Sequence, residues 1–258
     1  MRQYLYRACA LLLTAAAAAG CQPNVTADPL PAQGGSARYL LLIVHGSGDN
    51  ASAWPAEMKA AIQGALADDA RWDIVAYDWS RYSADKLTAS DAGLAIGASI
   101  GGQLCAAGYN YEAVQMIGHS VGSFVVQGAC DGYRACGGKA SVQLTFLDPF
   151  TGRGLFDWTY GKRRFGTGAD FAEAYVNTDD PVPSTNGRLL RAHNFDVTAL
   201  DPPAVSGGLR HWWPVTYYRQ TVADENAACG YRLSLMHAKG GTPAGFEEFP
   251  AGGLTQVH

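Results

Sequence analysis

Val114-Gln115-Met116-Ile117-Gly118-His119-Ser120-Val121-Gly122 is the stretch on which the reading turns. Val114 to Ile117 is a short apolar run of strand composition, stopped by Gly118, and residues 121–129 have helical composition. Gly118-His119-Ser120-Val121-Gly122 therefore fits G-x-S-x-G between a strand and a helix. The physical reason for that spacing is steric. A serine in a strained strand-to-helix turn projects its hydroxyl, and glycines two before and two after it let the strand and the helix come close. The helix that follows directs its N-terminal N–H groups and dipole at the same point, which favours developing negative charge. Ser120 is the candidate nucleophile.

Working outward, the apolar run Tyr39–Val44 reads as a strand buried on both faces and ends in His45-Gly46-Ser47-Gly48. Residues 56–67 have helical composition, Trp72–Tyr77 reads as a second strand, residues 85–107 as a long Ala- and Gly-rich helix, and residues 142–147 as a strand ending in Asp148-Pro149. Strands alternating with helices predict an α/β fold, a mostly parallel central sheet with helices on both faces. Beyond Pro149 the pattern loosens. Residues 150–169 read as a surface loop, Phe171–Val176 and residues 193–200 as strands, and residues 211–221 as a helix with Pro214 in its first turn. No internal repeat is present, and the catalytic domain is expected over residues 39–258.

A serine hydroxyl needs a base to take its proton and a carboxylate to orient that base. Of six histidines, His211 is the best placed, after the last expected strand and behind Gly207-Gly208, a loop able to bring it over the serine. Two positions qualify for the acid: Asp148 at the end of one strand, and Asp179-Asp180 at the end of the next. An oxyanion hole needs two backbone donors, for which Val121 and Ser47 are in position. This chemistry calls for no cofactor and no metal.

The first residues read separately. Arg2 and Arg7 precede the uncharged run 8–19, which ends in Gly20-Cys21. This is the layout of an export signal over residues 1–20, and the run is too short for a membrane-spanning helix of roughly 20 residues. Ala18-Ala19-Gly20-Cys21 resembles a bacterial lipobox, which implies a lipidated Cys21 and attachment to the outer membrane, with simple secretion the alternative. Residues 21–38 read as a tether or irregular lead-in. The composition, 48% hydrophobic and 16% charged, suits one soluble domain, and a net charge of -4 gives no basic surface for nucleic acid. Of the six cysteines, Cys9 lies in the export signal, and the four that remain besides Cys21 in an exported chain suggest disulfides. The expected pairs are Cys130 with Cys136, across a short loop, and Cys105 with Cys229, with buried free thiols the alternative.

The same residues resemble the catalytic domain of the pancreatic lipase family, within the α/β-hydrolase superfamily. The resemblance runs from Leu41 to about Tyr218 and rests on His45-Gly46, Asp78-Trp79, the stretch from Val114 to Gly122, Leu147-Asp148-Pro149, Asn177-Thr178-Asp179, and His211 with Tyr217-Tyr218. It implies a serine hydrolase of carboxylic esters, and it favours Asp148 as the acid. Asp180-Pro181-Val182-Pro183 is similar to the turn that supplies the acid in fungal-type lipases, which keeps Asp180 as the alternative. With His258 as its last residue, the chain is expected to lack that family's C-terminal β-sandwich. Residues 199–210 leave little room for a long lid, which suits soluble or small-aggregate esters. Other acyl substrates (a phospholipid, polyester or thioester), or a noncatalytic envelope-anchored binding protein, are the rival readings.

Overall fold

The computed structural model describes residues 25–201, 210–224, 226–227, 229–234, 236–237 and 252–258. The export signal, Cys21 and the Gly207-Gly208 loop lie outside these residues, as does most of the 199–210 stretch.

Seven strands form one sheet: β1 Tyr39–Val44, β2 Trp72–Tyr77, β3 Ala113–His119, β4 Ser141–Leu147, β5 Phe171–Val176, β6 His193–Asp196 and β7 Leu254–Gln256. Their order is β2-β1-β3-β4-β5-β6-β7, and every neighbouring pair is parallel. Six helices accompany them among the described residues: α1 Trp54–Ala65, α2 Ser80–Ser83, α3 Ala89–Leu104, α4 Gly122–Ala135, α5 Tyr160–Arg164 and α6 Trp213–Gln220. Because successive side chains point to opposite faces, the apolar run of β1 supplies two cores. Leu40, Leu42 and Val44 face a core completed by α3 and α4. Leu41 and Ile43 face one completed by α1 and α6. The expected sheet with helices on both faces is what the chain builds.

Departures from the expected elements have local causes. Helix α4 runs six residues past Ala129, to Ala135. A Cβ on Gly132 would lie 2.5 Å from the carbonyl oxygen of Ala98, so this glycine serves close packing of α4 on α3 and does not end the helix. The expected cysteine pairs are corrected accordingly. Cys105 bonds to Cys136, with their Cα atoms 6.4 Å apart, while Cys130 and Cys229 are buried free thiols. Six helical residues separate the α-carbons of Cys130 and Cys136 by about 9 Å along the axis, beyond the reach of a disulfide. Cys105 and Cys136 instead cap the C-termini of α3 and α4, which the glycine contact holds side by side. The strand expected over 193–200 stops at Asp196, whose carboxylate caps the N–H of Thr198 and starts a 3-10 turn. Three-residue β7, parallel to β6, is too short to give a period in the sequence.

Two further features bear on the interior. Residues 25–38 are irregular but packed: Leu30 and Ala37 are buried, and the N–H of Leu30 donates to Gln103 Oε1 at 2.7 Å. In β5, Glu173 is fully buried and accepts hydrogen bonds from Thr145 Oγ1 (2.7 Å), Tyr175 OH (2.9 Å) and Tyr218 OH (3.3 Å). Burial pushes this carboxyl up to about 7, against the pull of those donors.

Candidate active site

Strand β3 ends at His119, α4 begins at Gly122, and Ser120 between them has φ 53, a left-handed conformation that a side chain rarely adopts. Its N–H still donates to the Leu147 carbonyl of β4 at 3.0 Å, and its own carbonyl accepts from the N–H of Phe150 at 3.2 Å. The turn is therefore fastened on both sides. Tight approach explains the flanking glycines: a Cβ on Gly122 would sit 2.4 Å from the carbonyl oxygen of His45. The helix N-terminus thus abuts the 45–48 turn. A Cβ built on Gly46 would lie 3.0 Å from that of Ser120, so this turn runs directly beside the serine.

The 45–48 turn is held by His45, buried beneath it. The N–H of Trp79 donates to His45 Nε2 at 3.1 Å, so Nδ1 carries the ring proton and donates to the Gly46 carbonyl at 2.9 Å. Trp79 Nε1 donates to the His45 carbonyl at 2.8 Å. Among the described residues, neither the N–H of Ser47 nor that of Val121 donates a hydrogen bond, which leaves both available to a bound oxyanion.

Asp148 follows β4 with φ 43 and is completely buried. Its Oδ2 accepts a 2.7 Å hydrogen bond from His211 Nδ1, and its Oδ1 accepts the N–H of Asn177 at 3.2 Å. Asp180, also buried, follows β5 and places its Oδ2 2.9 Å from the same His211 nitrogen. Both candidate acids therefore stand on one imidazole edge. Asp180 is the better supplied with donors: Thr185 Oγ1 reaches its Oδ2 at 2.5 Å and the N–H of Val182 its Oδ1 at 3.2 Å. No hydrogen bond joins Ser120 Oγ to His211 among the described residues. His119, next to the serine in the chain, donates its Nε2–H to the His211 carbonyl at 3.0 Å.

Electrostatics follow from this arrangement. Burial pushes the Asp148 carboxyl up to about 7, against the pull of the His211 bond and with the Asp180 charge adding to the rise. Burial acts on Asp180 in the same sense, but the bonds from His211, Thr185 and Val182 outweigh it and hold this carboxyl below its ordinary range. Burial would lower His211, yet the two carboxylates prevail and raise it to about 9. One ligand atom each from Asp148, Asp180 and His211 lies within 4.8 Å of the others. A cation at their centre would have to displace the Nδ1 proton and with it the bond that orients the ring.

Two residues of the quoted motifs enter the site in roles that the sequence reading did not give them. His119 is buried, its ring 4.6 Å from that of His211 and 4.7 Å from that of Trp212, so it grips both the backbone and the ring of His211. Desolvation and the neighbouring His211 hold its own proton affinity well below that of a free histidine. Asn177 touches Asp148 through its N–H and ties the Arg210 carbonyl (3.2 Å) to Asp201 (2.8 Å) through its amide. Arg210 is pinned in turn to Asp179 at 2.6 Å.

With this geometry in hand, a model of the alpha/beta hydrolase family matches residues 41–252. The chain belongs to the α/β-hydrolase family. Two solved structures resemble this hydrolase. One is a lipase-esterase related protein from Clostridium acetobutylicum, 13% identical, with a TM-score of 0.35 over 57% of this chain and 77% of that one. The other is RedJ with a PEG molecule bound in the active site, 13% identical, with a TM-score of 0.41 over 79% of this chain and 98% of that one. No curated protein matches the chain.

Proposed function

We propose that this α/β hydrolase cleaves carboxylic esters through an acyl-enzyme, with Ser120 as nucleophile, His211 as base and Asp148 as the residue that orients the imidazole. The observation that carries the reading is the 2.7 Å bond from His211 Nδ1 to buried Asp148, one strand over from a serine with φ 53. As Ser120 Oγ attacks the ester carbon, its proton passes to His211 Nε2, and the carbonyl electron pair moves onto oxygen, facing the N–H groups of Ser47 and Val121. Collapse breaks the bond to the alcohol, which leaves with the Nε2 proton. Water then attacks the acyl-enzyme by the same route, the carboxylic acid departs, and Ser120 regains its hydrogen. Each backbone donor to the oxyanion is worth on the order of 3 kcal/mol in the barrier.

Exposed apolar side chains on the chain that follows Asp148 suit an apolar substrate. Leu155, Phe156 and Trp158 follow Asp148 on the 150–159 segment with exposures of 59%, 93% and 52%. The segment begins at Phe150, whose N–H bonds to the Ser120 carbonyl. A small-molecule or lipid ester is therefore the substrate class we assign. A fluorophosphonate probe tests the chemistry: folded wild type takes the label and Ser120→Ala does not, whereas folded wild type that stays unlabelled refutes the hydrolase reading. From the leader we propose further that the mature protein is an outer-membrane lipoprotein anchored through Cys21. Loss of membrane attachment in Cys21→Ser supports this, and a soluble wild-type protein rejects it.

A further inference from the structure

We infer that His211 is served by two carboxylates with separate tasks: Asp148 fixes the ring through its hydrogen bond to Nδ1, and Asp180 keeps a standing negative charge beside that nitrogen and sets the proton affinity of the base. The inference rests on the assignment of His211 as the base, and it deepens that reading by giving the site an alkaline working range. Both residues are positioning residues, since neither touches the reacting atoms.

The division of labour follows from what surrounds each carboxylate. Asp148 is wholly buried and receives one N–H, from Asn177, besides the imidazole. A charge so poorly supplied is costly, and its hydrogen-bonding geometry to Nδ1 is the shorter, at 2.7 Å. Asp180 has a hydroxyl and a backbone N–H of its own, from Thr185 and Val182, and so stays ionised while standing 2.9 Å from the same nitrogen. The Nδ1 hydrogen can satisfy one oxygen well, and the second carboxylate then acts chiefly through its charge.

The other groups around the ring do not cancel that charge. His119, from the end of β3, presents an uncharged ring and uses its Nε2–H on the His211 carbonyl. Arg210, next in the chain, directs its guanidinium to Asp179 at 2.6 Å. Asp201 reaches the same turn through Asn177 and is a further negative group. The protonated imidazole is favoured from every charged side that is not already paired, in keeping with its rise to about 9. A base that holds its proton this strongly works only as the pH climbs toward that value.

Two readouts test this, one of them independent of turnover. The His211 ring is titrated by NMR in Ser120→Ala and in Ser120→Ala/Asp180→Asn, and kcat/KM against pH is measured for Asp180→Asn, Asp148→Asn and the double variant. Without Asp180 we expect His211 to titrate about one to two units lower and the rising limb of kcat/KM to move by the same amount, with kcat reduced several-fold. Asp148→Asn should lower kcat at least 100-fold, but by less than the double variant, which approaches the roughly 10⁴-fold loss of a site with no acid. An unmoved titration in Ser120→Ala/Asp180→Asn, an Asp148→Asn loss equal to that of the double variant, or a His211 titrating near 6.5 in Ser120→Ala overturns the inference. Asp180→Ala removes the same charge without adding an amide and replaces Asp180→Asn should that protein not fold. Absent fluorophosphonate labelling would sink the hydrolase reading while leaving the NMR result interpretable.

Discussion

Replacing Cys105 and Cys136 together by alanine removes the covalent tie between the C-termini of α3 and α4. The bond spans 31 residues, and in the chain-entropy view opening a loop of that length returns about 3.7 kcal/mol to the unfolded chain. For a domain of this size each kcal/mol moves the melting temperature by about 2–4 °C, so the double variant should melt about 7–15 °C lower. Activity should respond quite differently. Ser120 lies at the opposite end of α4, roughly 20 Å away along the helix axis, and the turn around it is fastened by Leu147, Phe150 and the 45–48 segment, none of which involves the disulfide. Thermal and urea unfolding, with ester turnover at 25 °C, separate the two effects. Non-reducing peptide mapping should find Cys105 joined to Cys136, with Cys130 and Cys229 alkylated once the chain is denatured. A melting temperature that does not fall, or a map that joins Cys130 to Cys136, would refute the reasoning.

Two other expectations concern the interior and the base. The Glu173 carboxyl is raised from its ordinary 4.5 to about 7, so the folded state binds the extra proton. Its contribution to stability is complete below about 4.5 and disappears as the pH rises through about 7, an effect on the order of 3 kcal/mol. Glu173→Gln should flatten that part of the profile in urea unfolding measured from pH 4 to 8, and an unchanged slope would mean that Glu173 does not titrate in this window. His119→Phe keeps a flat ring among Trp54, Trp212 and His211 but loses the bond to the His211 carbonyl. We expect a turnover loss of about tenfold to a hundredfold from misplacement of the base, with stability within about 1 kcal/mol of wild type. Undiminished kcat would show that the carbonyl contact is dispensable.

The fold was legible where burial on both faces wrote an unbroken apolar run. Tyr39–Val44 feeds two cores and reads as a strand without ambiguity, and the glycines around Ser120 announce a turn that only close packing requires. Legibility fell where the determining contact was distant. The helix reads as ending at Ala129, before the short loop expected between Cys130 and Cys136, and only the Ala98 carbonyl pressed against Gly132 shows that α4 continues through it. The cysteine pairs went astray for the same reason, since a longer helix carries Cys136 away from Cys130 and toward α3. Of the site residues, Ser120, Asp148, Asp180 and His211 each had a local signature. His119 and Asn177 stood inside quoted motifs, but their roles were not legible there, because those roles consist of bonds to a turn some ninety and thirty residues further along the chain.

The choice between two acids, which the chain alone left open, changes character once the strands are paired. Neighbouring parallel strands lie about 4.8 Å apart, and β4 and β5 are in direct register, with Leu147 opposite Tyr175. The residue that leaves β4 and the turn that leaves β5 must therefore emerge side by side at the same edge of the sheet. Any imidazole lowered onto that edge meets both carboxylates, as His211 does at 2.7 and 2.9 Å. What remains to distinguish them is local supply of donors, and that is unequal: Asp180 sits in a turn whose own N–H and hydroxyl groups solvate it, and Asp148 does not. The two similarities read from Leu147-Asp148-Pro149 and Asp180-Pro181-Val182-Pro183 thus meet in one site, and the unequal supply of donors is the ground for the different tasks we propose for the two acids.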